Sequence, residues 1–173
     1  MKKIILILTL IVVIFIYKEI KNTETIIPDT AIRLRVIPNS NSILDQNMKS
    51  KVKKYLEKST YNLIKDDDNK EIAKEKIKNS IPDIEESINQ IFSENNYDMN
   101  FSVNYGLNYF PQKEYRGLKY KEGYYESLVI SIGNAEGDNW WCVLFPNLCL
   151  ADLENTNDIE YKSWIVEKIN KIF

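Results

Sequence analysis

The sequence predicts an α+β domain in which a mixed, mostly antiparallel sheet of about four strands has helices packed mainly on one face. Three observations predict it. Residues 31–37 and 98–105 alternate between apolar and polar side chains, as half-buried strands do. Residues 42–92 carry apolar side chains at helical spacing. Residues 124–132 and 139–149 are rich in β-branched and aromatic residues, and the turn-rich string between them predicts a hairpin.

The composition is that of one globular domain, and it excludes several kinds of site. Of the 173 residues, 44% are hydrophobic and 28% are charged, a balance typical of folded chains. The net charge of −2 supplies no basic field, so we expect no nucleic acid partner. The sequence has no histidine and two cysteines, which excludes histidine-dependent triads and the common zinc sites. We therefore expect no metal, no cofactor and no small-molecule substrate.

The N-terminus has the pattern of an export segment. Met1-Lys2-Lys3 precedes a run to Tyr17 that is apolar except for Thr9 and contains no charge, which is typical of a secretory signal. Residues 1–21 are thus predicted to be a signal peptide or a signal anchor. The polar residues after Tyr17 lack a small-x-small cleavage site, which favours an uncleaved anchor in the membrane over a cleaved signal. We expect residues 22–30 to be a tether and residues 31–173 to form a single extracytoplasmic domain.

The first strand of the domain places two arginines on one face. Ile32, Leu34 and Val36 point to one side, and Arg33 and Arg35 point to the other. The simpler interpretation is a solvated face of the sheet. The alternative is that the two guanidinium groups grip a carboxylate on a partner or on a loop.

Three helices follow the first strand. Residues 42–45 (Ser-Ile-Leu-Asp) have the form of a capping box, which opens an amphipathic helix that continues to about residue 64. Its lysine-rich face predicts a solvated surface, with attraction to an anionic membrane as the alternative. Residues 66–69 (Asp-Asp-Asp-Asn) lack the spacing of a calcium loop and predict the cap of a second helix, 69–79. A third helix begins at residues 80–83, with proline inside its first turn.

The second half of the chain is dominated by aromatic residues. Residues 106–123, between the second strand and the hairpin, form a predicted loop that is rich in tyrosine and basic residues. Ordered loops of this length usually carry function. Phe145-Pro146 predicts a turn, and residues 157–172 predict a closing amphipathic helix.

Two cysteines, Cys142 and Cys149, flank the predicted turn at Phe145-Pro146. Folding back at that turn would bring the two thiols opposite each other, and in an extracytoplasmic compartment they would oxidise to a disulfide. The alternative is a pair of reduced cysteines that act as small core residues. A catalytic thiol is the least favoured interpretation, because the chain has no histidine to activate it.

Several segments together resemble a known family. They are Ile32–Ile37, Asn39–Ser42, Phe110-Pro111, Gly123–Leu128 and, above all, the run Asn139–Cys149 with its two tryptophans and two cysteines. These segments resemble the stage II sporulation protein R family of endospore-forming Firmicutes. The resemblance covers about residues 31–152.

The resemblance implies a signalling protein and no catalytic residues. It implies export from the forespore to the intermembrane space, where the protein is secreted or membrane-anchored. There it would activate the membrane-embedded aspartic protease of the mother cell, which processes the pro-form of sigma factor E. The partner-binding surface is expected to use arginine and aromatic residues, together with neighbouring polar groups. The candidates are Arg33, Arg35, Tyr109, Tyr115, Tyr120, Glu126, Asn139 and Trp140.

Two other functions remain open at the level of the sequence. Two positioned carboxylates can hydrolyse a glycosidic bond without histidine, so a peptidoglycan hydrolase is an alternative. Its candidate acids are Glu114, Glu122, Glu126 and Asp138. A wall-glycan binding module is the other alternative, because exposed aromatic rings can stack on sugars.

Overall fold

The computed structural model describes residues 10–11, 25–26, 30–115, 118–146 and 149. Most of the predicted export segment and tether, and the whole predicted closing helix 157–172, lie outside these residues. Within the described part of the chain, no helix combines the length and the apolar character that crossing a membrane requires.

The described part of the chain contains three helices and seven strands, joined by turns and loops. The helices are α1 (Ile43–Ile64), α2 (Lys70–Asn79) and α3 (Ile81–Glu94). The strands are β1 (Thr25–Ile26), β2 (Ile32–Ile37), β3 (Phe101–Phe110), β4 (Lys113–Tyr115), β5 (Leu118–Tyr120), β6 (Gly123–Ile132) and β7 (Trp140–Phe145). The predicted α+β class and the mixed four-stranded sheet are confirmed.

The main sheet has the strand order β3-β6-β2-β7. Strand β2 lies between β6, to which it is parallel, and β7, to which it is antiparallel. The predicted hairpin between residues 124–132 and 139–149 is therefore wrong, because β2 separates the two strands. Local turn signals favour pairing of neighbouring strands, but here the loop between β6 and β7 crosses the end of β2 instead.

The loop that crosses β2 is held by the segment that follows β2. The side-chain oxygen of Asn39 accepts a hydrogen bond of 3.0 Å from the backbone N–H of Asn134. That of Asn41 accepts one of 2.6 Å from Asp138 N–H. Gly137 donates its backbone N–H to the carbonyl of Pro38 over 3.1 Å. These bonds replace the direct hairpin ladder that the sequence suggested.

A second, smaller sheet with the order β1-β5-β4 was not predicted. Its strands β4 and β5 come from the predicted loop 106–123. The first part of that segment is not a loop at all, because β3 continues to Phe110 and pairs with β6 along its full length, from Phe101 with Ile132 to Phe110 with Gly123. The prediction of a loop from residue 106 onward is therefore wrong.

The helices begin where the sequence indicated. The hydroxyl oxygen of Ser42 accepts a hydrogen bond of 3.1 Å from the backbone N–H of Asp45 at the start of α1. The side chain of Asn69 caps α2 by accepting from the N–H groups of Glu71 and Ile72. Pro82 lies in the first turn of α3. The caps of α1 and α2 satisfy backbone donors that a helix N-terminus leaves without partners, whereas proline in the first turn of α3 has no N–H to satisfy.

The hydrophobic core lies between the three helices and one face of the main sheet. We call this the inner face, and the opposite side the outer face. The sheet contributes Ile32, Leu34, Val36, Leu128, Ile130, Ile132 and Leu144 to the core, and the helices contribute Met48, Val52, Leu56, Ile77, Ile84, Ile88 and Phe92. The alternation predicted for β2 is thus confirmed on its apolar side.

Candidate functional site

Arg33 lies on the outer face of the sheet and is buried, with 1% of its surface exposed. Its guanidinium carbon is 3.3 Å from the centre of the Tyr125 ring, 5.3 Å from that of Phe110 and 5.6 Å from that of Tyr120. Such stacking stabilises a buried cation, because the faces of aromatic rings carry partial negative charge. The prediction of a solvated face is wrong at Arg33, because Phe110, Tyr120 and Tyr125 cover it.

Arg35, two residues further along β2, lies at the margin of the same cluster. It donates a hydrogen bond of 3.3 Å to the carbonyl of Tyr109, and its guanidinium carbon is 4.9 Å from the centre of the Phe110 ring. Partial burial lowers the pKa of this guanidinium from its ordinary value. Arg35 therefore helps to hold the end of β3 against β2, and it is less accessible than a solvated arginine.

Trp141 continues the aromatic layer of the outer face. It is the cross-strand partner of Arg35, and its ring lies 5.3 Å from Phe110, edge to face. The ammonium group of Lys113 on β4 is 4.7 Å from the centre of the indole. The outer face is thus built from alternating cations and aromatic rings, and the small sheet covers part of it.

Tyr109 and Tyr124 form an exposed aromatic pair at one end of the main sheet. They are cross-strand partners on β3 and β6, and their ring centres are 5.6 Å apart. Tyr109 is 47% exposed, Tyr124 is 72% exposed, and the nearby Leu107 is also 72% exposed. We call Tyr109 and Tyr124 the tyrosine pair. Their side chains follow the alternation of the inner face, but the helices leave them uncovered.

Glu126 lies on the inner face and is bound by two lysines of α2. Its carboxylate is 2.5 Å from the ammonium of Lys74 and 2.9 Å from that of Lys70. Burial raises the pKa of this carboxyl, but hydrogen bonds from the two lysines outweigh it, and the net result is a lowered pKa. Glu126 thus fastens α2 to the sheet as a carboxylate.

Trp140 opens β7 at the other edge of the sheet and Asn139 precedes it; both are half-buried. The ammonium group of Lys53 on α1 lies 4.9 Å from the centre of the Trp140 ring. On the same face, Cys142 forms a disulfide with Cys149, and their Cα atoms are 5.4 Å apart. The disulfide closes the turn that follows β7.

A buried network around Asp45 was not predicted beyond the capping box. Its Oδ2 accepts hydrogen bonds from the hydroxyl of Ser40 (2.5 Å) and the amide of Asn39 (3.0 Å). Its Oδ1 accepts one of 2.6 Å from the hydroxyl of Tyr97. The bond from Ser40 is the largest of the causes that lower the pKa of Asp45 to about 2. The network fixes the segment that holds the crossing loop, so its role is structural.

The structure places six of the eight predicted contact residues, three on each face of the main sheet. Arg33, Arg35 and Tyr120 meet on the outer face, whereas Tyr109, Glu126 and Trp140 lie on the inner face; Asn139 precedes β7. Only the backbone of Tyr115, in β4, is described. Tyr124, which is exposed, was not among the predicted contact residues. The sequence did not indicate how much of the inner face of the sheet the helices would cover.

Comparison with known proteins points to one family. No solved structure matches the chain. Residues 28–155 match the family model described as stage II sporulation protein R. The chain is 35% identical over 135 residues to the stage II sporulation protein R of Bacillus subtilis (strain 168), an alignment that covers 78% of this chain and 60% of the relative. The chain therefore belongs to the stage II sporulation protein R family.

Proposed function

We propose that this chain is a secreted sporulation signal. It is exported from the forespore to the intermembrane space and activates the membrane-embedded aspartic protease of the mother cell, which then processes the pro-form of sigma factor E. The observation that carries the proposal is the family match over residues 28–155. The apolar N-terminal run, which is typical of an export signal, supports it.

The disulfide supports export to an oxidising compartment. Disulfides are rare in the bacterial cytoplasm, because thiols are kept reduced there, and they persist outside it. Cys142 and Cys149 are both engaged in the bond, and the sequence contains no other cysteine. This arrangement suits a small domain that is stabilised after it leaves the cell that makes it.

Two of the four acids proposed for a hydrolase, Glu126 and Asp138, are poorly placed for shared chemistry. Glu126 is paired with two lysines, which favour its ionised form, whereas a general acid needs a raised pKa. Glu122 lies beside Tyr109, whose hydroxyl is 3.5 Å away. Asp138 is at the other end of the sheet, where its backbone bonds to Asn41. A ligand that acts through its surface needs no such pair.

We place part of the contact surface at the tyrosine pair. Exposed aromatic residues are enriched at protein interfaces, because they supply a large apolar area with little loss of conformational entropy. Tyr109, from the predicted tyrosine-rich loop, and Tyr124, just after it, have exposed rings next to each other. In this proposal Arg33 and Arg35, on the opposite outer face, stabilise the strands that carry the tyrosine pair. They do not contact the protease.

The test is reconstitution of processing in a host that does not sporulate. The full chain is co-expressed with the protease and the sigma-factor precursor, and processing is scored with and without the chain. We expect Tyr109→Ala combined with Tyr124→Ala to reduce processing strongly at equal exported amounts. The matched control is Tyr61→Ala, since Tyr61 is also exposed but lies on α1. Processing that is independent of the chain would refute the proposal.

The hydrolase alternative is tested with the same proteins. We expect purified chain to release no soluble glycan from peptidoglycan, and Glu126→Gln to retain processing in the reconstituted host. Glycan release that Glu126→Gln abolishes would establish an enzyme instead.

A further inference from the structure

Strand β3 lies at one edge of the main sheet and is long and regular. It runs for ten residues, Phe101–Phe110, and every one of them is paired in antiparallel register with β6, without a bulge. Within the described part of the chain, β6 is the strand that pairs with it. Since each strand of a ladder uses only half of its backbone groups on one neighbour, the other edge of β3 presents a row of N–H and C=O groups. The carbonyl of Tyr109 near the end of the strand, which Arg35 binds, does not belong to this row.

The sequence of β3 lacks the features that normally prevent edge-to-edge pairing. Proteins protect exposed edges with short strands, bulges, proline or charged residues, lysine above all. The ten residues of β3 include no charge and no proline. The opposite edge is different. Strand β7 has only six residues, against ten in β3. Lysines of other elements lie over aromatic rings of both edge strands, Lys53 and Lys113 over the tryptophans of β7 and Lys78 over Tyr105 of β3, so the two edges differ in strand length.

The side chains beside the β3 edge are also suited to contact with another strand. On the outer face, Ser102 and Asn104 are exposed and polar. On the inner face, Leu107 is 72% exposed although it is apolar. Gly106, near the middle of the strand, has room around it, because a Cβ there would meet only the side chain of Asn104 at 3.7 Å. Nothing charged in β3 would be buried by a neighbouring strand.

We infer that the chain forms a homodimer through antiparallel pairing of β3 with β3 of a second copy. A twofold axis perpendicular to the sheet relates the copies and gives a continuous eight-stranded sheet. The two copies of β3 are self-complementary in this pairing. The polar side of one strand lies beside the polar side of the other, the apolar side lies beside the apolar side, and no like charges oppose each other. This inference goes beyond the proposed signal function, and the pairing leaves Tyr124, one strand in from the edge, exposed.

The first test is the mass of the full chain in detergent micelles, measured by sedimentation velocity. We expect a dimer for the wild type. Asn104→Lys combined with Leu107→Lys puts charges on both faces beside the axis, and we expect it to weaken the dimer by about a hundredfold or more, because like charges oppose each other across the interface. The control is Ile43→Lys, at an 83% exposed apolar position in the first turn of α1, outside β3. It should leave the dimer intact.

A monomeric wild type at micromolar concentrations would overturn the inference. So would a dimer that the double lysine variant leaves unchanged, because that dimer would use another surface or the N-terminal segment. Circular dichroism of the double variant checks that it is folded.

The second test needs no disruptive substitution. In an antiparallel pairing of β3 with itself, residues at the middle of the strand are the closest between copies, so Asn104→Cys should be cross-linked efficiently by a short bis-maleimide. Ile43→Cys, at a position that is also exposed, should be cross-linked far less. Equal cross-linking of the two variants, or none at Asn104→Cys, would contradict the inference.

Discussion

The hydroxyl of Tyr97 donates a hydrogen bond of 2.6 Å to Oδ1 of Asp45. Fifty-two residues separate the two in sequence, so this bond joins the segment before β3 to the first turn of α1. Ser40 binds the other oxygen of the same carboxylate. Three segments of the fold therefore depend on one buried charge.

We expect Asp45→Asn to lower the free energy of unfolding by about 1 to 2 kcal/mol at neutral pH, because charge-assisted hydrogen bonds are stronger than neutral ones. The pKa of Asp45 is lowered to about 2 in the folded protein, below its ordinary value. The carboxylate therefore stabilises the fold above about pH 4, and this contribution is lost as the pH falls from there to about 2. Urea unfolding followed by tryptophan fluorescence, over this pH range, measures the effect.

Comparing the wild type with Asp45→Asn isolates the contribution of the Asp45 carboxylate to the free energy of unfolding. The stability difference between them should shrink as the pH falls, while other acids titrate equally in both proteins. Tyr97→Phe, which removes only the hydroxyl, should reproduce part of the loss. A difference that stays constant from neutral to acidic pH would show that the Asp45 charge is not what stabilises the fold.

We expect Gly137→Ala to destabilise the fold by at least about 2 kcal/mol, because overpacking against rigid backbone has no easy relief. A Cβ at Gly137 would overlap the carbonyl oxygen of Ser40 and lie 2.7 Å from Cγ of Pro38. Gly106→Ala is the matched control, since its Cβ would meet only ordinary contacts. The thermal unfolding midpoints of the two variants should differ by several degrees. Equal midpoints would contradict the close approach of the crossing loop to the segment that follows β2.

Local patterns predicted much of the fold. The capping box at Ser42, the cap before α2 and Pro82 in the first turn of α3 marked the helix starts, because each of these effects involves residues within one turn. The alternation in β2 correctly placed Ile32, Leu34 and Val36 in the core for the same reason.

The strand order and the burial of Arg33 could not be predicted in this way. The crossing loop is fixed by the bond between Asn134 and Asn39, which are 95 residues apart. Arg33 is covered by Phe110 and Tyr125, which come from strands that follow it by more than 70 residues. A strand pattern states which side a residue faces, but what covers that side is decided by distant segments. The prediction was least accurate at the candidate site, because its two arginines were interpreted as lying on a solvated face.

We expect Glu126→Gln to lower the unfolding midpoint by a few degrees at neutral pH, since it removes the ion pairs with Lys70 and Lys74 that hold α2 on the sheet. The pKa of Glu126 is lowered in the folded state. Its stabilising contribution is therefore present above the ordinary range of glutamate and is lost as the pH falls through the folded value. Thermal melts at neutral and acidic pH measure it.

Glu71→Gln is the control for Glu126→Gln. Glu71 also approaches Lys74, at 3.7 Å, but its side chain is 71% exposed, and exposed ion pairs contribute little. We expect its midpoint to match that of the wild type. An effect as large as that of Glu126→Gln would mean that net charge on α2, and not the bond to the sheet, controls stability.

The disulfide between Cys142 and Cys149 should stabilise the domain through the unfolded state. Closing a loop of eight residues restricts the unfolded chain by about 2.5 kcal/mol in the chain-entropy model. We therefore expect Cys142→Ser combined with Cys149→Ser to lower the free energy of unfolding by about this amount. Adding dithiothreitol should destabilise the wild type to a similar extent and leave the double variant unchanged.

Because the turn after β7 lies at the edge of the sheet, the double variant should keep its helix content. A wild type that is insensitive to the reductant under unfolding conditions, where the bond is accessible, would show that the two cysteines stabilise the domain by packing and not by cross-linking it.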